Sequence, residues 1–365
     1  MRAFAEINLS AIAKNIKLIK EKTNSEILAV VKADAYGHGL WPVANTAIDA
    51  GATWLGVALL EEAIKLRSHG IKGIPIIAWL TPLHENFTEA LNLDIDLSIP
   101  SIDHLKVIEK AGKNLKKRPR VHIEIDTGMT RGGLLNEWSE FLNLIGNAEV
   151  EVVGVWSHFA RADEPESDFT EIQIRNFEEK LSDLNKIGIT PKYIHLSNSA
   201  AIFNRPKTPS QIVRLGISMY GLSPDVNLMG SSKELELQPA MVLKSEIHLV
   251  KEVPAGSAVG YGGSAVTNRD TKLAIITMGY SDGIPRNASS GAGVFVAEKR
   301  APIIGRVSMD QFVVDLGPDS TAKSGDIAEI FGPNGYSIDD WARACGTINY
   351  EIVTRISSRV PRIYG

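Results

Sequence analysis

Two patterns of apolar residues alternate along the first two thirds of the chain. Short continuous runs rich in β-branched residues mark strands buried on both faces; apolar positions recurring every three or four residues mark amphipathic helices. Runs of the first kind fall at 27–31, 53–59, 74–80, 95–99, 120–126, 150–157, 193–197 and 211–216. Helical spacing appears at 10–22, where Leu9, Ile12, Ile16 and Ile19 follow one another around Ser10, a candidate N-cap. It recurs at 61–69, 101–112 and 168–187, and another helix should begin near Leu40. Eight strands in a βα rhythm predict a parallel barrel. An open, doubly wound sheet could also use eight strands, but no Gly-x-Gly-x-x-Gly turn follows the first.

The rhythm stops near residue 223. Residues 223–233 are polar and rich in turn formers, which predicts a linker. Beyond it, short apolar or alternating runs at 241–250, 272–278, 293–297, 301–304, 311–315, 326–331 and 352–360 are punctuated by Gly and Pro, with one short helix expected at 338–345. The expected architecture is therefore an α/β chain of two domains. Residues 1–233 form an N-terminal (β/α)8 TIM-like barrel, and 234–365 form a predominantly β-strand domain.

Composition narrows the function classes. A net charge of -4 without a Lys/Arg block argues against a nucleic-acid partner. No apolar run is long enough to span a bilayer, and residues 1–8 carry no signal core. One cysteine, Cys345, excludes an internal disulfide framework. A soluble cytoplasmic protein without membrane attachment is expected. The histidines have no metal-ligand spacing, so no metal site is expected.

Active sites on such barrels lie where the strands end, so chemistry is sought there. Lys32 ends the first strand before glycines at 37 and 39. An amine walled by apolar residues loses its proton more readily, and a neutral amine is what forms a Schiff base with an aldehyde; the plainer reading is a lysine marking the strand's solvent boundary. The fifth strand runs into the glycine-rich turn 126–133 carrying Arg131, and the sixth ends at Ser157-His158. The seventh leads to Asn198-Ser199 at a helix start, and the eighth carries Arg214 and leads to Gly216-Ile217. Ser199 could be only a helix cap, His158 only structural, and the arginines only rim charges. Together, a Schiff-base lysine and a serine with free N–H groups after the last two strands point to pyridoxal 5′-phosphate. Asp34 and Asp126 as a glycosidase pair would leave Lys32 without a role.

These motifs resemble those of alanine racemases. The resemblance rests on 31–39, on Asp126-Thr127-Gly128-Met129 with Arg131, on His158-Phe159-Ala160, Asn198-Ser199-Ala200 and Arg214-Leu215-Gly216-Ile217. It continues through Gly260-Tyr261-Gly262, 279–283, Ser308-Met309-Asp310-Gln311 and Asn349-Tyr350-Glu351-Ile352 to 359–362. It implies a head-to-tail homodimer with shared active sites that interconverts L- and D-alanine, with D-alanine supplied for peptidoglycan. Lys32 would carry the cofactor and act on one face of the substrate carbon; Tyr261 of the partner would act on the other. Tyr36, Ser199, Gly216, Ile217 and Tyr350 would hold the phosphate, with Asn198 beside them. Arg214 would face the ring nitrogen, oriented by His158. Arg131, Tyr280, Met309 and Asp310 would lie near the substrate, and Asp163, Arg286 and Arg306 at the entrance. Where many relatives carry a lysine that becomes carbamylated, this chain has Glu124, expected to be ionised and to hold Arg131. Rival readings are a racemase of broader specificity or one acting on serine, a decarboxylase on the same plan, and a cofactor-carrying barrel without turnover.

Overall fold

A computed structural model describes residues 1–205 and 208–365. The chain forms two compact units, one of Ile12–Ala35 and Leu40–Gln238, the other of Met1–Ala11, Tyr36–Gly39 and Pro239–Gly365. This differs from the expected division after residue 233 in three ways. The break lies five residues later, Tyr36–Gly39 belongs with the second unit, and so does the N-terminus. The reason is β1 (Ala3–Ile7), a strand that the apolar pattern did not predict. Its alternating burial is the signature of a half-covered strand, but two of its inward residues are alanines, which carry little apolar signal.

The first unit holds β2 (Glu26–Val30), β3 (Trp54–Leu59), β4 (Ile76–Leu80), β5 (Ile95–Ile99), β6 (Arg120–Glu124), β7 (Glu151–Trp156), β8 (Tyr193–His195) and β9 (Ile212–Leu215). All are parallel to their neighbours, in the order β8-β7-β6-β5-β4-β3-β2-β9. The bounds differ by at most two residues from those expected. Between β8 and β9 the barrel closes without a regular ladder. Arg214 N–H donates to Ser197 O (2.9 Å), Leu196 N–H to Ser210 Oγ (3.1 Å) and Ile194 N–H to Gln211 Oε1 (2.9 Å). Helices Leu40–Asp49, Leu60–Ser68, Ile102–Leu115 and Phe169–Lys186 stand where helical spacing predicts them. The helix Leu9–Lys22 is capped by Asn8 rather than Ser10: Asn8 Oδ1 accepts from Ala11 N–H at 2.9 Å and from the Ser10 hydroxyl at 2.7 Å.

The barrel interior is polar below its mouth. His122 lies between His195 (Nδ1···Nε2 2.9 Å) and Asp96 (Nε2···Oδ2 3.2 Å), and Arg120 grips Asp96 through two bonds of 2.8 and 3.0 Å. Gly154 makes room for this stack, since a Cβ there would lie 2.3 Å from His122 Nδ1. Such a network is stable only because nearly every buried group has a partner.

In the second unit, β10 (Met241–Val253) pairs with β1 and with β17 (Ile327–Phe331), then with β13 (Thr271–Ile276) past a register shift after Ile247. The sheet continues through β14 (Gly293–Val296) and β15 (Lys299–Pro302) on one side and β18 (Arg362–Tyr364) on the other. A separate hairpin joins β11 (Ala258–Val259) to β12 (Ala265–Val266), and β16 (Phe312–Asp315) pairs with β13. The helix Ile338–Cys345 matches its expected bounds, starting from a Ser337 cap. The strand expected at 352–360 is absent. Asn349–Thr354 is a helix, because Asn349, Ile352, Val353 and Ile356 recur at helical spacing and are buried. The chain after it is held by Arg362, whose guanidinium donates to the carbonyls of Ile356, Ser357 and Val360 (2.6 to 2.7 Å). Among the described residues no helix is long and apolar enough to cross a membrane.

Candidate active site

Lys32 stands two residues past the end of β2 and begins an unusual turn. Ala33, Asp34, Ala35 and Tyr36 all adopt left-handed backbone, with φ of 52 to 54°. Each such L-residue costs roughly 1–2 kcal/mol, so the turn needs external support. Ala33 N–H donates to Glu62 Oε1 (2.6 Å), Ala35 N–H to Val31 O (2.9 Å) and Leu40 N–H to Asp34 Oδ1 (2.8 Å). Burial lowers the pKa of the Lys32 amine, Arg131 lowers it further, the Glu62 carboxylate opposes this, and Arg214 adds to the lowering. The solvent-boundary reading of Lys32 is therefore the weaker one.

Arg131 comes from the turn after β6, which Asp126 shapes by accepting from Gly128 N–H (2.9 Å) and Thr130 N–H (3.1 Å). The side chain is exposed, and its charge reaches Lys32, Glu124, His158 and Arg214. The expected Glu124 contact is not made as an ion pair: Arg131 acts on Glu124 through space, without a hydrogen bond. Nor is Glu124 simply ionised. Burial raises its pKa to about 7, against the pull of Arg131 and Arg214 and with a further push from Asp126. The Glu124 carboxylate packs instead against the backbone of that turn, where a Cβ on Gly132 would lie 3.0 Å from its Oε1.

A folded-state pKa raised from 4.5 to about 7 means the fold retains a proton that the unfolded chain has already released. Stability should consequently decline as pH climbs from 4.5 to about 7. Glu124→Gln should remove that decline, leaving the variant more stable at pH 8 by on the order of 1–3 kcal/mol. Denaturant titrations at pH 5 and pH 8 would show it, and parallel pH dependences for parent and variant would contradict it.

Arg214, on β9, is fully buried and meets only neutral acceptors. Its guanidinium donates to Ser157 O (2.9 Å), Leu196 O (3.1 Å), His195 O and His158 Nδ1 (3.2 Å), and stacks 5.3 Å from the Trp156 ring centre. Burial pushes its pKa down to about 9, so it remains protonated at neutral pH. Since Arg214 can only donate, His158 Nδ1 must accept, which leaves the His158 proton on Nε2. Burial and the surrounding cations hold His158 neutral, well below the ordinary histidine range.

Ser199 is not the helix cap. Asn198 fills that role, its side-chain oxygen accepting from Ala201 N–H at 3.0 Å, which leaves its amide NH2 to donate. The Ser199 hydroxyl instead accepts from Gly216 N–H (3.0 Å) and Ser218 N–H (3.5 Å), which leaves its own proton to be donated. Asp163 lies in the same unit, its carboxyl pushed up by burial and by Asp225.

The remaining expected residues belong to the second unit. Tyr36 and Tyr350 lie with ring centres 6.3 Å apart, and burial pushes the Tyr36 hydroxyl up. Tyr280 and Met309 are tied by backbone bonds from Tyr280 N–H to Ser308 O (3.0 Å) and from Ser281 N–H to Met309 O (3.0 Å). Asp310 accepts from Arg359 (2.9 Å) and from the Ser281 hydroxyl (3.1 Å). Buried Asp282 anchors this corner through Arg2 (2.5 Å) and Gly279 N–H (3.0 Å), roles that no motif spacing announced. Tyr261 sits on the tip of the small hairpin, 72% exposed, between glycines 260 and 262 with φ of 72 and 73°. Arg286 and Arg306 are exposed. Among the described residues no cluster of His, Cys, Asp or Glu is placed to hold a metal ion.

Comparison with known proteins bears on this arrangement. Residues 7–224 match the family described as alanine racemase, N-terminal domain, and residues 240–364 the alanine racemase, C-terminal domain. The chain belongs to the alanine racemase family. An alanine racemase of Salinispora tropica is 44% identical over all of this chain and 98% of its own length. The crystal structure of alanine racemase from D-cycloserine producing Streptomyces lavendulae superposes with a TM-score of 0.97 at 43% identity, covering all of this chain and 97% of that one. A Bacillus anthracis alanine racemase solved with bound L-Ala-P has a TM-score of 0.90 at 37% identity, covering all of this chain and 95% of that one. The two alanine racemase matches break between 224 and 240, around the expected linker and the unit boundary after Gln238.

Proposed function

We propose that this alanine racemase family member is an isomerase that interconverts L- and D-alanine with pyridoxal 5′-phosphate and two proton-moving residues on opposite faces of the substrate. The carrying observation is the conjunction at the barrel mouth of a lysine amine with lowered pKa and a buried guanidinium that meets no carboxylate. That donor set fits a ligand bearing an aldehyde, an anion and a ring nitrogen. Lys32 would hold the aldehyde carbon, the Ser199 hydroxyl with the 216–217 backbone would hold the phosphate, and Arg214 would donate to the ring nitrogen. When bound, the cofactor supplies an electron sink for the pair left on the α-carbon. Because Arg214 stays protonated at neutral pH, it would donate to the ring nitrogen and leave it without a proton of its own, which would moderate the sink. His158 fixes the plane of the guanidinium.

Inversion requires removing the proton from one face and returning one to the other. Lys32 would serve one face and the partner's Tyr261 the other, within a cytoplasmic head-to-tail homodimer. The exposure of Tyr261 at a hairpin tip supports a role outside its own unit. Arg131, Tyr280, Met309 and Asp310 would face the substrate, and the L-Ala-P complex of the Bacillus anthracis relative supports an alanine-sized one. The product fits supply of D-alanine for peptidoglycan.

Incubation of the cofactor-loaded protein with L-alanine should bring the circular dichroism of the mixture to zero, with borohydride labelling Lys32. A labelled protein that leaves L-alanine unchanged would favour a cofactor carrier, and release of carbon dioxide would favour a decarboxylase.

A further inference from the structure

The left-handed turn after Lys32 rests on a side chain from elsewhere in the barrel. Glu62 is buried in the first turn of the helix Leu60–Ser68, while its neighbour Glu61 is exposed. Its Oε2 accepts from Ala58 N–H and Leu59 N–H, both at 3.0 Å, and its Oε1 from Ala33 N–H at 2.6 Å. The first two bonds close the start of a helix, a common duty of an acidic residue at this position. The third does nothing for that helix. It reaches across from the end of β3 to the end of β2 and takes hold of the residue immediately after the lysine.

We propose that Glu62 is a positioning residue for Lys32, pinning the turn that follows it and setting a carboxylate within electrostatic range of its amine. Three backbone donors fix the carboxylate, so it cannot swing away when the lysine moves. The lysine also feels two cations, Arg131 and Arg214, and among the described residues Glu62 is the carboxylate that opposes them at the amine. With that charge removed, the two guanidinium groups act unopposed and the nitrogen of Lys32 should give up its proton at lower pH.

The inference rests on Lys32 carrying the cofactor, and the test separates the two. The absorbance of the cofactor-loaded protein is titrated with pH at about 420 nm, the region expected of a protonated lysine linkage. Glu62→Gln should lower the midpoint by about one pH unit. Ala33 N–H should also exchange with solvent at least about tenfold faster, as a released hydrogen bond allows. Glu62→Asp keeps the charge but is one methylene too short for Ala33; its midpoint should stay near the parent's while Ala33 exchange rises. This variant carries the test should the glutamine variant fail to fold. Glu61→Gln should move neither quantity. An unmoved midpoint in Glu62→Gln, with only a loss of thermal stability, would reduce Glu62 to a helix cap and overturn the inference. A parent protein that borohydride does not label at Lys32 would overturn the underlying reading, and the inference with it.

Discussion

Lys32→Ala is expected to lower kcat for alanine racemisation by at least about 10⁴-fold, because on the proposed function it would remove a proton-moving group and the anchor of the cofactor together. Polarimetry would measure the loss, and the band at about 420 nm should disappear with it. Folding should be spared. The amine resists protonation because burial and Arg131 penalise its charge, so its removal relieves the barrel mouth instead of opening a wound in the core. An unchanged or slightly raised melting temperature is therefore expected alongside the lost activity. Racemisation within about tenfold of the parent would mean that another residue does the work assigned to Lys32.

The second large effect is directional. Tyr261→Phe removes one hydroxyl from an exposed hairpin tip, so its effect on stability should stay within about 0.5 kcal/mol. Racemisation should nevertheless fall by roughly 10²- to 10⁴-fold, the usual contribution of a positioned acid or base. In deuterated water the two enantiomers should then part company. The one whose α-proton faces Lys32 should still exchange it, while the other should be nearly inert. Mass spectrometry of recovered alanine would measure this. Continued exchange from both enantiomers at the parental rate would remove Tyr261 from the chemistry, whatever happened to the overall rate.

How much of this was legible in the residues varies with the physics. The barrel strands announce themselves because both faces are buried, which forces continuous apolar runs such as Ile27–Val31. The glycine-rich turn with Arg131 and the pairing of His158 with Arg214 also stand in the structure as expected. Glu124 was placed correctly on the strand, but its charge state depends on burial that spacing does not report. Ser199 stands at the helix start that the sequence places there, but its bond to Gly216 joins positions seventeen residues apart, which no local pattern reports. Glu62 carries the weakest signal of all: an acidic residue in a first helical turn is commonplace, and nothing local says that it reaches Ala33. The strand expected at 352–360 failed for the opposite reason. Its Ile and Val residues favour strands, yet their spacing and burial fit a helix, and tertiary packing overrode propensity.

Strand β1 has a consequence for how the protein is made. Its neighbours are β10, some 240 residues downstream in the order Ala3 to Ser245, and β18 (Arg362–Tyr364), farther downstream still. Gly365 N–H closes on Ile7 O at 3.1 Å, and Leu9 N–H on Gly365 O at 3.0 Å. Strand β1 must therefore wait for two segments made far later before both of its edges are paired. A chain made only as far as β10 would hold β1 with one edge unpaired, open to another strand until β18 follows.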